Sequence, residues 1–421
     1  MGMATPQVGL VIGESSRTVR GELTACRLTF CNQDLHLVRL FVKTGFMISR
    51  PFWLQRIEQC WQKAPIVWLS GVRRAGKTTL ATGLTDSQYL NCDLPSVQQL
   101  LADPEAFYRS VTRSRLVLDE IHQLPDPSRF LKIGADAFPQ LKILATGSST
   151  LAATRKFRDS LTGRKRNVHL VPVRHDELSA FGVADPRHRL LRGGLPPALL
   201  SQEYDPGFYS EWLDSYYARD VQELFRVEKR TGFLKLIEGV LRLSGGQMEA
   251  TTLSTLCGLS RPTLINYLDV LELTHVALVV RPYSGGGHRE LVRQPKIYGF
   301  DTGFVAYARG WTDLRPEDCG LLWEHVVLEH LISDPSEPEV LYWRDKDRHE
   351  IDFVVPGDRG SALAIECQWN ASGFDPRNLK KFRELHPAGK NLVIAANVSE
   401  AYTRDVGGLS ITFTGLDGLE L

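Results

Sequence analysis

One string restricts the fold of this chain more than any other. Five mostly apolar residues, 66–70, run into Gly71-Val72-Arg73-Arg74-Ala75-Gly76-Lys77-Thr78 and then into a helical stretch. A strand, a glycine-bearing corner and a helix opening on a lysine and a hydroxyl residue form a cradle of backbone N–H groups for phosphates. Such a cradle belongs to a parallel sheet, because the anion sits at the carboxyl edge of the strands and at the amino end of the helix. On this reading Gly71, Arg73, Arg74, Ala75, Gly76, Lys77, Thr78 and Thr79 surround the phosphates of ATP. Lys77 neutralises the terminal phosphates and the Thr78 hydroxyl ligates Mg2+.

A second motif lies where such a sheet requires one. Leu116-Val117-Leu118-Asp119-Glu120 reads as a buried strand ending in two acids, with Asp119 holding magnesium and Glu120 polarising the attacking water. The spacing from Lys77 leaves room for a helix, a strand at 89–93 and another helix. A further strand, 141–146, ends in Gly147-Ser148-Ser149. Ser148 is either a contact to the terminal phosphate or a helix-capping serine. Strands alternating with helices predict a parallel sheet covered on both faces.

At 421 residues the chain suggests two or three domains. Residues 1–46 lack regular periodicity and are either a disordered extension or a stretch preceding a native start at Met47. Residues 47–185 form the ATP-binding α/β domain, and proline and glycine then punctuate a change to a helical lid over 186–239. Two helices joined at Gly258, followed by strands at 276–280 and 291–297 around a glycine-rich turn at 285–287, outline a winged helix over 240–305. A helix at 323–332 and strands at 341–343, 351–355, 362–367 and 392–395, with a helix at 379–385, make a second α/β domain over 306–421.

The formal net charge of +1 gives no global attraction for nucleic acid. Any DNA contact therefore rests on a local patch, either the basic stretch 155–166 or the outward face of the second winged-helix element, Arg261, Asn266 and Asp269. The stretch 155–166 is equally a solvated surface. Seven scattered cysteines without metal spacing, no export signal and no apolar run of about 18 residues predict a cytoplasmic protein with no membrane partner.

These motifs, with Thr162-Gly163-Arg164, Gly193-Gly194-Leu195-Pro196, Tyr217-Ala218-Arg219-Asp220-Val221 and the segments 294–303, 342–344 and 350–353, resemble the AAA-type P-loop ATPases of bacteria and archaea that carry a C-terminal nuclease-like domain of unknown function. The resemblance runs from about Met47 to the C-terminus. It implies an ATPase core with ATP and Mg2+ as cofactors, a winged helix and a restriction-endonuclease-like terminal domain. Arg164 becomes an arginine finger, acting within its own chain or across a homo-oligomer. Glu324, Asp352 and Glu366 resemble the acids of PD-(D/E)XK nucleases, a possible second Mg2+ site. Gln368 stands where those enzymes have lysine, so cleavage is expected to be weak or absent unless Lys380 or Lys381 reaches in. The leading expectation is a nucleotide-driven switch. The alternatives are an ATP-licensed DNA nuclease and a slow-turnover binding regulator.

Overall fold

Apolar five-residue strands separated by short helices set the first sheet. The computed structural model describes residues 48–147, 155–222, 227, 229–284, 294–417 and 419, with the side chains of Arg155, Lys156 and Arg158 also outside the description. After helix α1 (Pro51–Trp61) come β1 (Ile66–Ser70), α2 (Lys77–Thr82), β2 (Ser87–Asn91), β3 (Arg115–Asp119), α3 (Pro127–Ala137), β4 (Lys142–Thr146), α4 (Arg155–Ser160) and β5 (Lys165–His169). The five strands pair in the order β2-β3-β4-β1-β5, and every pairing is parallel. Every residue of β1 is buried. Helices therefore cover both faces, as the alternation requires.

The segment 155–166, read from sequence as a basic loop, comprises helix α4, a turn at 161–164 and the start of β5. Its charges hid a strand because β5 is the edge strand, with Arg166 and Asn167 exposed and Val168 turned inward. An edge strand can carry charge at alternate positions.

The chain continues through α5 (Pro206–Tyr216), a π-helical turn (Tyr217–Val221), β6 (Gly246–Gln247), α6 (Ala250–Cys257), α7 (Arg261–Leu273) and β7 (Ala277–Pro282). It then passes through β8 (Lys296–Gly299), α8 (Pro316–Ile332), β9 (Leu341–Arg344), β10 (Glu350–Pro356), β11 (Ala362–Gln368), α9 (Arg377–Leu385), β12 (Asn391–Ala395), β13 (Tyr402–Val406) and β14 (Leu409–Thr414). Gly258, in the left-handed conformation at φ +64°, separates α6 from α7. Ser260 caps α7, whose Leu264, Leu268 and Leu271 are buried while Arg261, Asn266 and Asp269 are exposed. The glycine-rich turn 285–287 lies outside the described residues.

The second sheet runs β13-β14-β12-β11-β10-β9-β7-β8-β6. It crosses the expected boundary at 305/306, because β7 pairs in parallel with β9 through Arg281↔Leu341 and Pro282↔Tyr342. The hairpin β13–β14 had no counterpart in the sequence reading: β13 is exposed along most of its length and shows no apolar alternation.

Candidate functional site

The phosphate loop is closed by contacts from both sides. Gly71 has φ +143°, and a Cβ there would stand 2.5 Å from the Leu170 carbonyl oxygen, so only glycine fits beside β5. Gly76, at φ +97°, turns the chain into α2. Lys77 donates from Nζ to the carbonyl oxygens of Gly71 at 2.8 Å and Val72 at 3.2 Å. Burial foremost holds its ammonium below the ordinary lysine value, against the attraction of Glu120, Asp220 and Asp119. A phosphate in the cradle gives that charge a better partner.

Asp119, buried at the end of β3, is the centre of a hydroxyl cluster. Its Oδ2 accepts from Thr78 Oγ1 at 2.8 Å and from Tyr89 OH at 2.7 Å, and its Oδ1 accepts from Thr146. Thr146 Oγ1 in turn accepts from the backbone N of Glu120 at 3.0 Å. Glu120 itself is left-handed, φ +54°, which turns the chain sharply away after β3. The hydroxyl of Thr78 and the carboxylate of Asp119 are adjacent hard oxygen donors, the chemistry Mg2+ selects. These residues fit the ion; held by Thr78 and Asp119, it would supply positive charge to offset that of the phosphates.

Several residues at the site carried no motif of their own. Arg50 donates to the Ala75 carbonyl at 3.2 Å and is fixed by Glu177 at 2.6 Å, both side chains buried. Arg73 Nε pairs with Asp220 Oδ2 at 2.6 Å, and Trp212 Nε1 donates to the Arg73 carbonyl at 3.0 Å. Arg74 lies over the Phe208 ring, 5.2 Å from its centroid. The loop is thus held by α5 and the π-helical turn as well as by its own sheet. Asp220 lay inside a string already singled out, but the sequence offered no partner for it. Ser148 lies outside the described residues.

Arg164 is not beside Lys77 in the same chain. Its carbonyl accepts from Ile66 N at the amino end of β1, while the loop leaves the carboxyl end at Ser70. Four strand steps, about 13 Å, separate the two ends. The guanidinium is bidentate on Asp136 of α3, at 2.5 and 3.1 Å. The register of β5 thus sets the Arg164 backbone at the opposite end of the sheet from its own phosphate loop.

Two of the three C-terminal acids, Glu324 and Asp352, meet at a lysine together with Glu350. Lys296 of β8, buried, places Nζ 3.0 Å from Glu324 Oε1, 2.5 Å from Glu350 Oε1 and 4.0 Å from Asp352 Oδ1. Tyr298 OH also donates to Glu324 at 2.5 Å, and Arg344 pairs with Glu350 at 2.7 Å. Burial first, then the charge of Glu324, pushes Asp352 up to about 7. Burial and Asp352 likewise raise Glu366, whose buried Oε1 has no hydrogen-bond partner among the described residues. Against burial, the surrounding acids hold the Lys296 ammonium well above its ordinary value.

This arrangement does not fit a Mg2+ ion at Glu324, Asp352 and Glu366, since the ammonium stands among them. Among the described residues, the group whose ligand atoms lie within 4.8 Å of one another is instead Asp345, Asp347 and His349. There the Asp345 carboxylate accepts from His349 N and faces its Nδ1, which closes the β9–β10 turn. Lys381 does not reach the acids either, being paired with Glu384 at 2.8 Å. Lys380 Nζ packs against Gly407. Lys296 was hidden because it precedes the acids in sequence and sits on a strand of the preceding segment.

The chain is 27% identical over 323 residues to uncharacterised proteins of Mycobacterium bovis and Mycobacterium tuberculosis, covering 73% of this chain and 71% of each relative. It is 24% identical over 342 residues to one from Haemophilus influenzae, covering 73% and 84%. Among solved structures, a Walker-type ATPase of Pyrococcus abyssi is similar at 14% identity and a TM-score of 0.41, covering 62% of this chain and 96% of that one. AMPPCP-bound DnaA from Aquifex aeolicus is similar at 14% identity and a TM-score of 0.26, covering 52% and 85%. The family model described as an AAA domain matches residues 63–179, and domains of unknown function DUF8612 and DUF4143 match 183–315 and 319–411. Residues 63–179 thus match an AAA domain, and two domains of unknown function follow it.

Proposed function

We infer that the chain binds Mg-ATP at Gly71–Thr79, hydrolyses it to ADP and phosphate, and uses the cycle as a switch on the segments that follow. One observation carries this reading: Thr78 Oγ1 lies 2.8 Å from Asp119 Oδ2 at the mouth of a loop that already holds Lys77 inward. Lys77 neutralises the terminal phosphates, Thr78 and Asp119 hold the metal, and Glu120 orients the attacking water. The ties from Arg73 to Asp220 and Trp212 supply the route by which loop occupancy acts on the lid. Buried, unpaired Cys60, Cys92, Cys257, Cys319 and Cys367 agree with a reducing cytoplasm. Among the described residues no helix is long and apolar enough to cross a membrane.

A DNA contact would use the basic stretch 155–166 or α7, where exposed Arg261 and Asn266 offer a phosphate and a base contact beside the repelling Asp269. The nuclease alternative is disfavoured by Lys296, which takes the place of a metal among the acids. Calorimetry with Mg-ATP and a phosphate-release assay test the leading reading. Wild-type protein is expected to bind and turn over ATP, with both lost when Lys77→Ala and Thr78→Ala are combined. Equal uptake by that double variant defeats it.

A further inference from the structure

A closed ring of contacts surrounds the phosphate loop and passes through the corner between α7 and β7. Inside the loop, the Arg73 carbonyl accepts from Trp212 Nε1 at 3.0 Å. Trp212 stacks on Tyr216, with ring centroids 5.4 Å apart and planes inclined by 15°. Tyr216 OH and Thr274 Oγ1 share a hydrogen bond of 2.5 Å. The next residue, His275, packs on His169 with ring centroids 3.9 Å apart. His169 Nδ1 then lies 3.3 Å from Ser70 Oγ, immediately before Gly71. The ring leaves the loop at Arg73 and returns to it at Ser70, having crossed α5 and the end of α7.

The histidine pair is where this ring can respond to charge. His275 has φ +62°, a left-handed backbone that few residues other than glycine adopt. Strain of this kind persists where contacts on both sides enforce it. Both residues are half-buried. Burial first, with Lys77 also acting on both, holds the imidazoles neutral, and His275 is lowered to about 4. Lys77 is occupied with two loop carbonyls. A terminal phosphate that draws Lys77 toward itself takes positive charge from the imidazoles and brings negative charge near them. The charge balance around the two tilted, neutral rings then changes.

We propose that the His169–His275 pair reports occupancy of the phosphate loop to the α7–β7 corner, with His275 a positioning residue coupling the nucleotide site to the segment that carries β7. Movement there reaches the second sheet directly, because Arg281 and Pro282 of β7 pair with Leu341 and Tyr342 of β9. The proposal rests on the nucleotide-binding reading above.

The test is amide hydrogen exchange over residues 261–282 in the full chain, with and without a non-hydrolysable Mg-ATP analogue, with calorimetry on the same samples. In wild type, the analogue should change exchange over 261–282 by roughly fivefold or more. His275→Asn, which keeps a side chain tolerant of the left-handed backbone, should bind the analogue within about threefold of wild type yet lose that change. If His275→Asn fails to fold, Thr274→Val takes its place, since it breaks the ring at the Tyr216 hydroxyl with little change of shape. Either variant retaining the full change overturns the proposal. So does wild-type protein that takes up the analogue without a response over 261–282. Wild-type protein that takes up no analogue overturns the nucleotide reading as well, and calorimetry tells the two failures apart.

Discussion

His122 Nδ1 stands 3.2 Å from Glu120 Oε2, on the turn that follows β3. This contact with His122 is the foremost reason the Glu120 carboxyl lies below its ordinary value. Burial opposes it, and Lys77 assists. A carboxylate kept ionised beside Lys77 and the hydroxyl cluster on Asp119 is suited to orienting water and poorly suited to donating a proton.

Glu120→Gln is expected to lower turnover by roughly 10²–10⁴-fold while leaving Mg-ATP binding in place. His122→Ala removes the largest lowering influence and leaves burial to raise the carboxyl. The acid limb of the kcat–pH profile should then shift to higher pH, because the base loses its charge sooner as pH falls. A profile that does not move in His122→Ala removes His122 from this role.

Arg164 stands at the amino end of the sheet, paired with Asp136 and about 13 Å of strand from its own loop. If it serves phosphoryl transfer, it serves a neighbouring copy. Arg164→Ala should then lower kcat by about 10³-fold, the scale of an arginine finger. Mixing it with Lys77→Ala protein should restore measurable phosphate release, because one mixed interface pairs an intact loop with an intact arginine. Wild-type turnover in Arg164→Ala, or no recovery in any mixture, ends the role.

The parallel sheet and its loop were legible because strand, glycine corner and lysine are contiguous and each has a local physical cause. Asp119 was legible for the same reason, as the last residue of an apolar strand. Arg50, Trp212, Asp220, His169 and His275 were not, because each approaches the loop, directly or through a neighbour, from an element distant in sequence and carries no distinctive spacing. The acids Glu324, Asp352 and Glu366 were found by resemblance. Their surroundings were not, since Lys296 enters from β8 and Glu350 lies two residues from Asp352 on the same face of β10. Edge strands escaped for a simpler reason: β5 and β13 are not buried on two faces, so their patterns look like loops.

Lys296 makes the terminal cluster testable without any assumption about its activity. Asp352, at about 7, lies above its ordinary value of 3.8, so folding favours its protonated form. The stability this contributes is fully present below about pH 4 and is lost as pH rises through about 7. Wild-type stability should therefore fall across that window more than that of Asp352→Asn, by roughly a few kcal/mol in denaturant titrations. Lys296→Met acts on the same balance from the other side, since it leaves four carboxylates with no ammonium among them. If the ammonium stands in for a metal, Mn2+ should raise the Tm of Lys296→Met well beyond any shift it produces in wild type. An equal shift in both proteins would mean that the acids hold a cation with Lys296 in place, and the nuclease alternative would then regain its footing.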